Sequence, residues 1–133
     1  MTRRFTIRIG SQTAVAELLD DVSPRTCQRL AAAMPLTSRV NHAKVAGREF
    51  FCFVPFHEEL ESPVVAQSRG NIGYYPLRQT LCVFYEDMPG AGQVTPVARV
   101  VENLDGIVAE GLEAWRRQGA AISFEGLTDD ALR

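Results

Sequence analysis

A chain of 133 residues, 46% hydrophobic and 23% charged, has the size and composition of one globular domain and carries no low-complexity tract of the kind that stays disordered. Its net charge of -2, with Arg3, Arg4, Arg25, Arg29, Arg116 and Arg117 scattered as singles and pairs, argues against a nucleic-acid partner, which needs a continuous basic stripe. No apolar run is long enough for a secretory leader or a membrane span, so a cytoplasmic protein without a membrane partner is expected.

Phe5, Ile7 and Ile9 alternate with Thr6 and Arg8 as a half-buried strand does, and Gly10-Ser11-Gln12 turns the chain into a second extended run over residues 13–19. Ser23-Pro24 is a helix start: serine can accept from the free amides of the first turn, and proline at the first helical position loses no bond. Cys27, Leu30, Ala31 and Met34 then recur at helical spacing up to Pro35. From Ser38 the period returns to two, with Val40 in a polar strand, a turn at Ala46-Gly47, and a strand over 48–54 that is apolar on both faces. Such a strand belongs inside a sheet or closed barrel, covered outside by a helix and filled inside by side chains.

Residues 57–63 form a polar connection, Val64-Val65 begins a short strand, and residues 69–73 are a turn-rich approach to Tyr74-Tyr75-Pro76. A second apolar strand covers 81–85, and the glycine-rich segment 88–92 reads as a mobile loop of the lid type. Residues 96–101 are extended. Leu104, Ile107, Val108, Leu112 and Trp115 mark a second helix, with Asn103 as cap and Gly119 as stop. Residues 121–124 form a last strand, and 128–133 a polar tail that frays. The expected fold is mainly β: a closed or nearly closed barrel of about eight strands with two covering helices, in a single domain spanning 1–133.

Gly70-Asn71-Ile72-Gly73-Tyr74-Tyr75-Pro76, then Leu81-Cys82-Val83-Phe84-Tyr85, then Pro96-Val97-Ala98-Arg99-Val100 resembles the signature of a small cyclophilin-like family of uncharacterised bacterial and archaeal proteins. The resemblance extends upstream through Asn41, Glu49 and Glu61-Ser62-Pro63. It implies a cyclophilin-like barrel and no established activity. Asn71 stands where that family usually has aspartate, Tyr75 where it has tryptophan, and Leu77-Arg78-Gln79 where it tends towards Pro-Gly. The Gln-Gly-Gly-Asp and Phe-x-Arg stretches that cyclophilins use for prolyl isomerisation are not recognisable, so fold likeness does not transfer that activity.

Three cysteines at wide spacing, Cys27, Cys52 and Cys82, suit neither a disulfide framework nor a zinc site and are expected to be reduced and buried. His57-Glu58-x-x-Glu61 has metal-ligand residue types, but Pro55 and Pro63 leave little room for a helix, and a solvated acidic loop is the better reading. No metal is expected. No glycine-rich loop stands at a strand-to-helix junction, so no phosphate-bearing cofactor is implied.

His42 and Glu49 lie on strands joined by a turn, where an imidazole and a carboxylate could meet for acid–base work; an edge salt bridge is the ordinary alternative. Alternation places Glu49 with Phe51 and Phe53, and therefore towards a pocket. Tyr74, Tyr75 and Arg78 offer an aromatic platform beside a cation, suited to a carboxylate or planar ligand. One reading is thus a small-molecule or peptide binding protein with a cleft lined by Glu49, Phe51, Tyr74, Tyr75 and Arg78. Another is an enzyme, a prolyl isomerase or a hydrolase or lyase of small amides, with Glu49, His42 or Glu61 as acid or base. A third is a subunit of a larger complex, and a homo-oligomer is compatible with all three.

Overall fold

The computed structural model describes residues 2–44, 48–63, 66–89 and 93–129. Among these, the elements follow as β1 (Arg3–Ile9), β2 (Gln12–Leu18), α1 (Pro24–Ala33), β3 (Leu36–Arg39), β4 (Asn41–His42), β5 (Glu49–Phe53), β6 (Asn71–Tyr75), β7 (Thr80–Phe84), β8 (Thr95–Glu102), α2 (Leu104–Glu113) and β9 (Ala121–Asp129). All pairings are antiparallel within one sheet ordered β3-β9-β1-β2-β8-β6-β7-β5-β4. The sheet curls until its ends meet. Val40 alone joins β3 to β4, and Ser38 Oγ on β3 donates to the Phe53 carbonyl on β5 at 2.6 Å. The molecule is a mainly β, nearly closed barrel, and its described residues form nine strands, where about eight were expected, and two helices.

Side-chain alternation fills the barrel. Phe5, Ile7 and Ile9 of β1, Phe50 and Cys52 of β5, Ile72 and Tyr74 of β6, and Leu81 and Val83 of β7 all belong to one buried cluster. Cys27 and Leu30 of α1 and Ile107 of α2 enter the same cluster, α1 following the end of β2 and α2 packing near its start. Gly111 on α2 is where Phe50 presses closest: a Cβ there would lie 2.4 Å from Phe50 Cδ1. Gly111→Ala is therefore expected to lower the melting temperature although alanine is the better helix former, because overpacking costs about 1–3 kcal/mol against a propensity gain of about 1 kcal/mol. A calorimetric scan showing an unchanged or higher midpoint would refute this contact.

Several local expectations are corrected. Residues 69–73 are not all turn, since β6 begins at Asn71. Thr128 does not fray, since β9 runs on to Asp129 and pairs Thr128 with Arg4. Ser23 occupies the N-cap of α1, but its buried hydroxyl makes no hydrogen bond. Asn103 precedes α2, yet its amide donates to Gln12 Oε1 at 3.1 Å and the Thr13 carbonyl at 2.8 Å instead of capping the helix. Among the described residues no helical side chain joins the outer face of the doubly apolar β5, which instead carries a second, smaller apolar cluster. The Ala46-Gly47 turn, the Val64-Val65 strand, residues 90–92 of the glycine-rich loop and residues 130–133 of the tail lie outside the described residues.

Candidate functional site

Because β5 alternates, Phe50 and Cys52 point into the barrel while Glu49, Phe51 and Phe53 lie on its outside. Register then fixes their neighbours. Glu49 pairs with Phe84, Phe51 with Cys82 and Phe53 with Thr80 on β7; Cys82 and Thr80 pair in turn with Gly73 and Tyr75 on β6. Cys82, Phe84 and Val94 form the buried centre of this outer cluster, with Phe51, Tyr75 and Met88 packed against it. Glycine at 73 has a packing reason, since a Cβ there would lie 2.1 Å from Val94 Cγ1. Phe51 and Phe53 meet edge to face at 5.9 Å, and Phe53 is 56% exposed.

Glu49 is half-buried on this apolar floor. Burial pushes its carboxyl above the ordinary value, and the neighbouring Cys82 thiol and the Arg78 guanidinium pull it part of the way back. Arg78 projects from the turn at 76–79, exposed, with no ion-pair partner among the described residues, yet close enough for its charge to be felt at Glu49. Burial and the adjacent carboxylate hold the Cys82 thiol well above the usual range, which favours its protonated form. Burial likewise pushes Cys27 and Cys52 up to about 12.

The other candidate residues go elsewhere. Tyr74, adjacent to Tyr75 in sequence, falls on the opposite face of β6 and is fully buried; its hydroxyl donates to the Phe56 carbonyl at 3.0 Å and accepts from the Glu58 amide at 3.3 Å, with Phe56 stacked on the ring. His42 is buried and shares the inner face with Phe50, opposite to Glu49. Its Nδ1 faces the Ala43 carbonyl and so carries the proton, leaving Nε2 to accept from the Tyr85 hydroxyl at 2.8 Å. Burial, reinforced by Lys44, keeps this imidazole below its ordinary pKa, and Trp115 meets it edge-on at 4.8 Å.

Glu61 caps α1 from a distance in sequence. Its carboxylate accepts from the Thr26 amide and hydroxyl, both at 2.8 Å, and from the Arg25 amide at 3.1 Å. Burial alone would raise this carboxyl; the hydrogen bonds from Thr26 and Arg25, with the Arg25 charge, outweigh it and hold it below the ordinary value. His57 and Glu58 do not join it in a metal site: Glu58 pairs with Arg25 and Arg29, and among the described residues no group of three or more His, Cys, Asp or Glu is placed to hold an ion. A shallow groove along α1 is lined by Pro24, Arg25, Gln28, Arg29, Ala32 and Glu58, and both of its arginines are already engaged, Arg25 with Glu58 and Glu61 and Arg29 with Glu58.

The structure thus brings Glu49, Phe51, Tyr75 and Arg78 to one outer face and separates them from Tyr74, His42 and Glu61. Phe84, Cys82, Val94 and Met88 complete that face and were not among the site residues expected from the sequence. Only cross-strand register reveals them, since Phe84 and Cys82 read as core residues of an apolar strand.

Fold and face together define an antiparallel barrel whose outer wall bears an apolar patch with a half-buried carboxylate. A family model described as a protein of unknown function (DUF3830) matches residues 5–129, and the chain belongs to that family. Among solved structures, McbB, determined in complex with tryptophan, is similar with a TM-score of 0.81 at 21% identity. That match covers 94% of this chain and 46% of McbB, so the chain spans about half of that protein's length. The solution structure of the hypothetical protein AF2241 from Archaeoglobus fulgidus is similar with a TM-score of 0.66 at 22% identity, covering 93% of this chain and 94% of AF2241. A search of curated proteins gives no match. No helix among the described residues is long and apolar enough to cross a membrane.

Proposed function

We propose that this chain binds a small molecule or peptide on the outer face of β5, β7 and β6, and that its barrel is of the cyclophilin-like kind, working in the cytoplasm. The observation that carries the reading is the pair of opposite charges on one apolar floor: Glu49, half-buried, and Arg78, exposed, neither of them in an ion pair among the described residues. A ligand with an aromatic or aliphatic body, a cationic amine for Glu49 and a carboxylate for Arg78 satisfies both while covering Phe51, Phe53 and Tyr75. That McbB was determined with tryptophan, on a similar fold, supports a ligand of this chemistry. Three buried, free thiols support a reducing compartment.

The test is calorimetric titration with L-tryptophan, tryptamine and indole-3-propionate, which share an apolar body and differ in their charges. Wild type is expected to prefer the zwitterion, and Arg78→Ala to weaken L-tryptophan about tenfold while leaving tryptamine unchanged, as expected for one charge-assisted contact of about 1.5 kcal/mol. Equal affinities for all three compounds, or none, would remove the charge-pair reading. One observation favours catalysis as a second reading: a carboxyl raised by burial is suited to acid–base work on a small amide or a prolyl bond. Turnover of a proline-containing peptide or simple amide that disappears in Glu49→Gln would move that reading to the front.

A further inference from the structure

We propose that two copies of this chain pair through the outer face of β5, β7 and β6, as a two-fold dimer in which Glu49 of each copy meets Arg78 of the other. The inference goes beyond the binding reading and does not depend on it. Among the described residues five large apolar side chains are exposed, and two of them, Phe53 at 56% and Leu77 at 84%, stand at one end of this face. Phe53 pairs with Thr80 and Thr80 with Tyr75, which makes a row across β5, β7 and β6. The turn at 76–79 continues beyond that row and carries Leu77 and Arg78. Phe51 and Tyr75 are half-buried on the same face. Aromatic rings with an arginine and no lysine are the composition of an interface core.

The charges choose the occupant. Glu49 begins β5 and Phe53 ends it, about 13 Å further on at the rise of a strand, so Glu49 marks the end of the face opposite to Arg78. Neither is in an ion pair among the described residues. An acid at one end, a base at the other and aromatic rings between them make a pattern complementary to itself. A half-turn about an axis crossing the strands near Phe51, midway between Glu49 and Phe53, lays acid on base twice and ring on ring between them. An acidic or a basic partner surface would satisfy one end and repel the other, and a wholly apolar one would strip both charges of water without a counter-charge. The same groups would meet a ligand, so a second copy and a ligand exclude each other.

The experiment is sedimentation velocity of wild type, Glu49→Lys and Arg78→Glu, each alone and the two variants mixed, at up to about 1 mM because a face this small supports weak association. Wild type is expected to pass from monomer to dimer as its concentration rises. Either reversal alone sets like charges together at both contacts and is expected to weaken pairing about 100-fold or more. An equimolar mixture of the two variants restores both contacts and should pair as wild type does, which also shows that both are folded. Should Glu49→Lys fail to fold, Arg78→Glu and Leu77→Asp decide, since both positions lie in an exposed turn. Leu77→Asp is expected to weaken pairing at least about tenfold by carrying an unpaired charge into the interface. A wild type that stays monomeric throughout overturns the proposal, as does a dimer that Arg78→Glu and Leu77→Asp leave intact, or a mixture of folded variants that stays monomeric.

Discussion

Glu61→Ala is expected to lower the unfolding free energy by about 2–3 kcal/mol, because it strips a charge-assisted cap from buried donors instead of deleting an exposed charge. The Thr26 amide and hydroxyl and the Arg25 amide all lose their acceptor, and Ser23, at the N-cap, makes no side-chain bond to replace it. For a chain of this size the midpoint should fall by roughly 10 °C. The pH dependence has a definite sign. The folded carboxyl lies below its ordinary value of 4.5, so its contribution is present above that pH and is lost as pH falls through the folded value. Glu61→Gln should therefore be destabilised at neutral pH and converge on wild type in acid. A variant as stable as wild type at pH 7 would refute the cap.

Glu49→Gln should act in the opposite direction on stability and strongly on binding. The folded carboxyl is raised, so the native state holds its proton more firmly than the unfolded chain, and stability declines as pH rises from 4.5 through the folded value. The neutral glutamine avoids that loss: the variant is expected to gain on the order of 1 kcal/mol at pH 7, the scale of other stabilising substitutions, and nothing at pH 3. Its affinity for amine-bearing ligands should drop by about 30-fold or more, as expected when one partner of a desolvated charge contact is removed. A gain in stability with loss of binding is the signature of a group retained for function. Loss of both would make Glu49 a structural residue.

Much of this fold is written in local pattern. The β1–β2 hairpin, the proline-led start of α1 and the apolar strands β5 and β7 follow from alternation and spacing within a few residues. So does the placement of Glu49 with Phe51, because a period of two fixes the face whatever the partner strand. The same rule separates Tyr74 from Tyr75, since adjacent residues of one strand cannot line the same face. What local pattern hides is the long-range pairing. Glu61 reaches α1 only through the folded loop, β9 continues through Gly126 and Thr128 because β1 pairs with it, and Gly73 looks like a turn residue until Val94 is seen packed over it. Gln67, a polar residue in a turn-rich stretch, gives no sequence signal of burial; the Met88 bridge encloses it.

The most direct test of the outer-face site is a map of backbone amide shifts in the ¹⁵N-labelled protein as L-tryptophan is added. The account predicts saturable shifts concentrated in residues 49–53, 67–75 and 80–85, with α1 silent. Shifts confined to the Arg25, Gln28 and Arg29 groove, or spread around the His42–Tyr85 end of the barrel, would contradict it.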